Sequence, residues 1–375
     1  VADQDIDWRE KAFGFSGNWR EYAPIALSNL ALIIVTIGFY RFWAKARERR
    51  YLWSRTRFID DRLEWTGTGK EMFIGFLIVM LVIAGPILFI QFGFNALILR
   101  GHYVWAGIGM AVVYLFLLYL GGFARFRALR YRLSRTWWHG IRGGSDDPGW
   151  DYGVAALWKP LVAALAFGML IPWSMVSLWN QRWRLMSFGS ETFESDANWT
   201  RGSLLARWIL MLFSPIVIYI LVLLVGLLGA MLFASMTGIE TPDVQAMAKD
   251  KRVIAAGIAV LLVFVLAFYV IIAAVGVIYY SAYLREVIGS LRLGNMSFNF
   301  TARSKDWIKL FLGDVGLVII TLGIGIAFLG YRHWAFFIRH LDAAGDLDPS
   351  TITQSTTSLQ REAEGLADAF DIGAI

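Results

Sequence analysis

The sequence predicts an α-helical polytopic membrane protein with four long transmembrane helices, three short or re-entrant apolar segments in repeated order, and small cytoplasmic β-hairpins. Three observations carry that class. Four uncharged apolar runs, Phe73–Leu99, Tyr103–Ala124, Trp208–Ile239 and Val253–Leu284, each exceed or match the roughly 20 residues a helix needs to cross a hydrocarbon core. The composition is 57% hydrophobic against 17% charged, with a mean hydropathy of +0.55, well above the usual soluble mix. The positive charge gathers in the connections between these runs, as it does in cytoplasmic loops.

Residues 1–21 form a polar segment whose first residues are acidic. It lacks the basic and apolar regions of a secretory signal, so the first hydrophobic segment is expected to direct insertion. Residues 22–150 read as a first membrane repeat: a weak apolar segment at Tyr22–Tyr40, a basic loop, two long helices and a second basic loop. Residues 151–307 repeat that order with a weak segment at Pro160–Gln181, and 308–342 give a partial third copy with Val315–Tyr331. The echo of Asn29-Leu…Thr36-Ile-Gly38 in Asp314-Val…Thr321-Leu-Gly323 supports a duplication, as does that of Trp65–Thr68 in Trp199–Gly202. Residues 343–375 make a polar tail, expected to be mobile or partner-bound, with a short amphipathic helix at 359–370.

Two topologies follow. In one, the weak segments dip in and return, leaving four spans in two hairpins with every basic loop and both termini in the cytoplasm. In the other, all seven segments cross and the halves become inverted repeats, a common transporter design. The charge rule favours the first; the acidic N-terminus and the Lys249–Arg252 cluster speak against it, and both leave the C-terminus inside. Tryptophans crowd the same loops, with Trp43, Trp53, Trp65, Trp137, Trp138 and Trp150 expected in a thick interfacial layer. Hairpin signals accompany them. Tyr51–Phe58 and Arg62–Gly67 flank an Ile-Asp-Asp turn, Arg292–Phe300 flanks Gly294-Asn295, and Ser187–Trp199 gives a weaker third.

The run from Asn29 through Thr36-Ile-Gly-Phe-Tyr-Arg-Phe-Trp43-Ala-Lys45-Ala-Arg47 to Tyr51, then Arg55-Thr-Arg and Trp65-Thr-Gly-Thr-Gly-Lys70-Glu71, resembles the YjgN-type family. That is a group of bacterial inner-membrane proteins with a domain of unknown function. The similarity is densest over residues 13–76, and the later segments follow the same order. It implies a bacterial inner-membrane location and carries no activity or catalytic residues.

Two sets of residues are candidate sites. A basic stripe, Arg41, Lys45, Arg47, Arg49, Arg50, Arg55 and Arg57, continued by Arg125, Arg127 and Arg130, is expected to bind anionic lipid headgroups or a membrane-protein partner, a second copy included. Asn29, Thr36, Asp314 and Thr321 are the alternative, a solute pathway where repeats meet, because a carboxylate near lipid usually faces a cavity or a partner. The bland readings are an Asp314–Lys309 pair at the headgroups and threonines that serve helix packing or turns. The stripe lies against membrane helices and among aromatic residues, which suits headgroups and not nucleic acid. Cysteine is absent, His102, His139, His333 and His340 show no metal spacing, and no nucleophile, phosphate-loop or dinucleotide motif occurs. No cofactor, metal or catalytic residue is expected. The leading expectation is a non-enzymatic scaffold or accessory subunit; the alternative is a transporter or channel.

Overall fold

A computed structural model describes residues 11–201, 203–237, 251–345, 347 and 352–357. The expected helix at 359–370 and the first ten residues lie outside them. The chain divides into two compact units, one of residues 1–198, 284–302 and 309–375, the other of 199–283 and 303–308.

The first unit is organised by short antiparallel strands. They are β1 (Phe13–Phe15), β2 (Thr56–Phe58), β3 (Asp61–Arg62), β4 (Glu64–Trp65), β5 (Thr136–Trp138), β6 (Ile141–Gly144), β7 (Ser187–Phe188), β8 (Glu191–Ser195), β9 (Leu291–Leu293), β10 (Met296–Phe300) and β11 (Leu341–Ala344). Three form the sheet β1-β2-β3 and eight the sheet β11-β10-β9-β8-β7-β6-β5-β4. Leu63 alone separates β3 from β4, and its N–H still donates to Thr56 C=O at 2.9 Å. The sheet curls round until β1 lies beside β11, where the Ala12 N–H donates to the Asp342 carboxylate at 3.2 Å.

Register ties this sheet to the rest of the chain. The chain leaves the sheet at Phe15 and rejoins it at Thr56, its partner. It leaves again at Trp65 and rejoins at Thr136, at Gly144 and Ser187, at Ser195 and Leu291, and at Phe300 and Leu341. Between these excursions, two-residue turns join Phe58 to Asp61, Trp138 to Ile141, Phe188 to Glu191 and Leu293 to Met296. His139 (φ 49°) and Gly140 (φ 72°) both sit at positive φ, as the mirror-image turn of a tight hairpin requires. Alternate connections of an antiparallel meander lie at alternate ends. All five helical excursions therefore leave from one end of the sheet and all four tight turns occupy the other.

Three excursions are short helical hairpins: α1 (Trp19–Val35) with α2 (Arg41–Ser54), α5 (Trp150–Leu165) with α6 (Ile171–Arg184), and α9 (Ser304–Ile320) with α10 (Leu329–His340). Asn18 caps α1, its side chain accepting from Arg20 N–H, and the Asp306 carboxylate accepts from Arg303 N–H at the head of α9. The other two excursions are long. The first pairs α3 (Gly69–Leu99) with α4 (Tyr103–Arg135). The second, largely in the other unit, pairs α7 (Leu204–Thr237) with α8 (Lys251–Gly289), joined in part by Trp208 packing edge-on to Tyr279. Thr68 caps α3 by accepting from Glu71 N–H, and a π-turn at Phe89–Phe94 follows Pro86, which has no N–H to give.

Four helices, Gly69–Leu99, Tyr103–Arg135, and those containing Leu204–Leu224 and Phe264–Gly289, are long and apolar enough to cross a membrane. Leu81, Leu99, Val104, Leu221 and Leu266 on them are each more than half exposed. So much apolar surface has no soluble counterpart, and hydrocarbon is its matched solvent. The protein is a membrane protein.

The structure differs from the sequence reading in three places. Tyr51–Ser54, expected as strand, finishes α2. Trp53, Trp65 and Trp138, expected at an interface, are buried. Trp53 stacks on Trp334 with centroids 4.1 Å apart, and the Trp138 indole donates to Phe58 C=O at 2.9 Å inside the main core. A ring with one polar edge suits a core as well as an interface once that edge finds an acceptor. The tail, expected to be mobile or partner-bound, packs on the protein's own core at its described residues. Leu347 and Ile352 join the core, Gln354 bridges Arg142 N–H and Gly140 C=O, and the buried Arg142 guanidinium binds Thr357. Burial lowers the Arg142 pKa below its ordinary value.

Candidate functional site

The three short hairpins share one turn. Ile37-Gly38, Phe167-Gly168 and Leu322-Gly323 place a large apolar residue at φ 51°, 52° and 51°, followed by a glycine at 89°, 79° and 95°. In each, the glycine N–H reaches back five residues, to Ile33, Ala163 and Val318 C=O at 2.7, 2.9 and 2.8 Å, closing the helix in a left-handed cap. A left-handed non-glycine residue costs about 1–2 kcal/mol, so each turn holds its apolar residue under strain. Those residues are also the most exposed of the tips: Ile37 is 90%, Phe167 91% and Leu322 94% accessible.

Behind each tip, the arms are tied by polar groups at matched distances from the turn glycine, nine residues before it and nine after. In the first hairpin Arg47 donates to Asn29 Oδ1 at 3.0 Å, and Asn29 donates to Ala44 C=O. In the second Lys159 donates to Ser177 Oγ at 2.6 Å and Gln181 Oε1 at 3.0 Å. In the third the buried Asp314 accepts from Arg332 Nε at 2.7 Å and pairs with His333 Nε2 at 2.6 Å. Each cross-link satisfies polar groups that would otherwise be costly on an apolar helix. Sequence reading paired Asn29 with Asp314 and missed Lys159, because the residue types differ; spacing from the glycine is the signal that finds it. Lys309, named as a partner for Asp314, is not the one the structure supplies. Thr36 Oγ1 donates to Leu32 C=O and accepts from Tyr40 N–H, and Thr321 does the same with Leu317 and Gly325. Both hydroxyls close turns.

The basic stripe is mostly built into the fold. Arg41 lies over the Phe42 and Phe76 rings, and Lys45 pairs with Glu48 at 3.5 Å. Arg47 serves Asn29. Arg49 is buried 4.9 Å above Trp65. Arg55 pairs with Glu21 at 2.8 Å, and Arg57 donates to Ile59 and Lys11 carbonyls. Arg127 covers Phe123 and donates to Pro148 C=O; Arg130 donates to Asp147 C=O at 2.6 Å. Arg50 and Arg125 are exposed, as is Lys70. Arg135, outside the stripe, pairs with Glu71 at 3.1 Å and so ties the feet of the first long helix pair. At the turn end of the sheet His139 hydrogen-bonds Asp60 at 3.0 Å and holds that carboxyl below the usual carboxylate range. Among the described residues no three His, Asp or Glu side chains converge to hold a metal.

Inside the curled sheet lies a cavity of about 270 Å³. Phe13, Phe58, Phe193, Leu293 and Phe298 line it from the strands, and Leu129, Arg132, Trp179, Trp183, Ile288 and Phe337 from the last turns of helices entering them.

A family model described as a bacterial protein of unknown function, DUF898, matches residues 10–369. A Salmonella typhimurium protein named inner membrane protein YjgN is 24% identical over 389 residues, covering 92% of this chain and 91% of its own. An Escherichia coli protein of the same name is 24% identical over 164 residues, covering 44% of this chain and 38% of its own. No solved structure matches.

Proposed function

This chain belongs to the DUF898 family of bacterial proteins, and on that premise we propose that it is a non-enzymatic scaffold or accessory subunit of the bacterial inner membrane. Its three hairpins sit as fingers in the cytoplasmic leaflet, and its sheet and C-terminus face the cytoplasm. The observation that carries this reading is the departure of all five helical excursions from one end of the sheet. An arm that leaves at Phe300 and returns to its register partner Leu341 comes back to the side it left. The exposed tips Ile37, Phe167 and Leu322 then find hydrocarbon, and Lys70, Arg50 and Arg125 remain to meet anionic headgroups. The opposite end, with its tight turns and packed tail, is the surface offered to a membrane-complex partner or a second copy.

A transporter lined by Asn29, Thr36, Asp314 and Thr321 has weaker support. The threonine hydroxyls are spent in their turns, and each polar pair is closed within its own hairpin.

The chain has no cysteine, so single cysteines at Ser190, Asn295, Ile37, Phe167 and Leu322 report sidedness directly. A charged maleimide is expected to label Ser190 and Asn295 only in inside-out vesicles and the tips from neither face. Labelling of either turn from the periplasm overturns the orientation. Recovery of the protein alone from mild detergent, together with ion uptake in proteoliposomes that Asp314→Asn abolishes, overturns the scaffold role.

A further inference from the structure

The aromatic chamber inside the sheet has no part in the reading above, and we infer that it receives one acyl chain of a membrane phospholipid. Phe58, Phe193, Leu293 and Phe298 present hydrocarbon from the strands, and only Arg132 and the Trp179 and Trp183 indoles bring polar groups to the named walls, so an alkyl chain meets mostly apolar surface there. Its volume of about 270 Å³ lies near the lower bound of small-ligand pockets, roughly 300 Å³, which suits a chain and not a whole headgroup with its shell.

The position of the chamber selects the source of the chain. Leu129 lies on the closing turns of α4, one of the four apolar spans. Trp183 and Phe337 close the second arms of the hairpins tipped by Phe167 and Leu322. The helices that carry exposed apolar surface away from the sheet thus bring their last turns to the chamber wall. Of the described tail residues, Leu347 and Ile352 join the same core cluster as Phe58 and Phe193 but are not among the chamber walls. The inference rests on the proposed placement of the sheet's helical end at the leaflet, which sets the chamber beside the acyl chains.

The test uses the full chain in vesicles of phosphatidylethanolamine and phosphatidylglycerol, doped with phosphatidylglycerol that carries a photoreactive diazirine at one acyl terminus. After illumination, peptides holding Phe193, Leu293 and Phe298 are expected to carry adducts, in addition to those on the spans and fingertips. Leu293→Trp fills the chamber and is expected to cut the strand adducts about tenfold, while tip adducts at Phe167 and Leu322 persist and report correct insertion. Phe193→Trp serves as a second filling variant. Wild-type adducts confined to the helices overturn the inference, as do strand adducts undiminished in an inserted filling variant. Strand adducts obtained while Ser190 is labelled from the periplasm keep the chamber and overturn only the orientation.

Discussion

Replacing Asp314 by Leu tests whether the hairpin cross-links hold the fingers closed. The carboxylate accepts from Arg332 Nε at 2.7 Å and pairs with His333 Nε2 at 2.6 Å. Its side chain is 10% exposed, against 33% for Arg332 and 47% for His333. Stripping one member from a fully buried pair costs about 3–5 kcal/mol, whereas an exposed pair is worth about 0–1 kcal/mol. Solvent reaches the cationic side here, so the loss expected for Asp314→Leu is intermediate, about 2 kcal/mol. Most of that loss is the cost of stranding Arg332, so Asp314→Leu combined with Arg332→Met should recover about 1 kcal/mol of it. Guanidinium unfolding in detergent, followed through tryptophan fluorescence, measures the three variants against the parent. Wild-type stability in Asp314→Leu, or a double variant as weak as the single one, refutes the cross-link argument.

Gly38→Ala isolates backbone strain, because a Cβ there meets nothing within 4 Å while φ is +89°; a loss of about 1–2 kcal/mol is expected in the same unfolding assay. Ile352→Ala removes a tail residue that is 6% exposed in the core. It should cost about 2–4 kcal/mol and speed proteolysis of the tail, whereas a loose tail would show neither effect. Asp60 has a depressed carboxyl because His139 hydrogen-bonds it. Its contribution is therefore present above the ordinary carboxylate value and is lost as pH falls through the lower, folded-state value. The pair is exposed, so the change is at most about 1 kcal/mol. His139→Asn should flatten that acid limb, and an unchanged pH profile of unfolding would contradict the pairing.

The sequence alone determined the solvent. Four uninterrupted apolar runs and the absence of charge within them are local properties, and hydrocarbon is the only medium that suits helices of that length. It also held the turn chemistry, since Gly294-Asn295 and the apolar–glycine pairs at 37–38 and 322–323 act within a few residues. Tertiary structure decided what is non-local. Phe15 must find Thr56 and Ser195 must find Leu291 before the short strands join, and strands of two to five residues carry too little periodicity to announce themselves. The same holds for Arg47, Arg49 and Arg130. An arginine reads as surface charge in a list of residues and becomes an internal tie only when Asn29, Trp65 or Asp147 arrives opposite it. The chamber is the extreme case, because its walls come from residues as far apart as Phe13 and Leu341. A space between distant walls belongs to no segment of the chain.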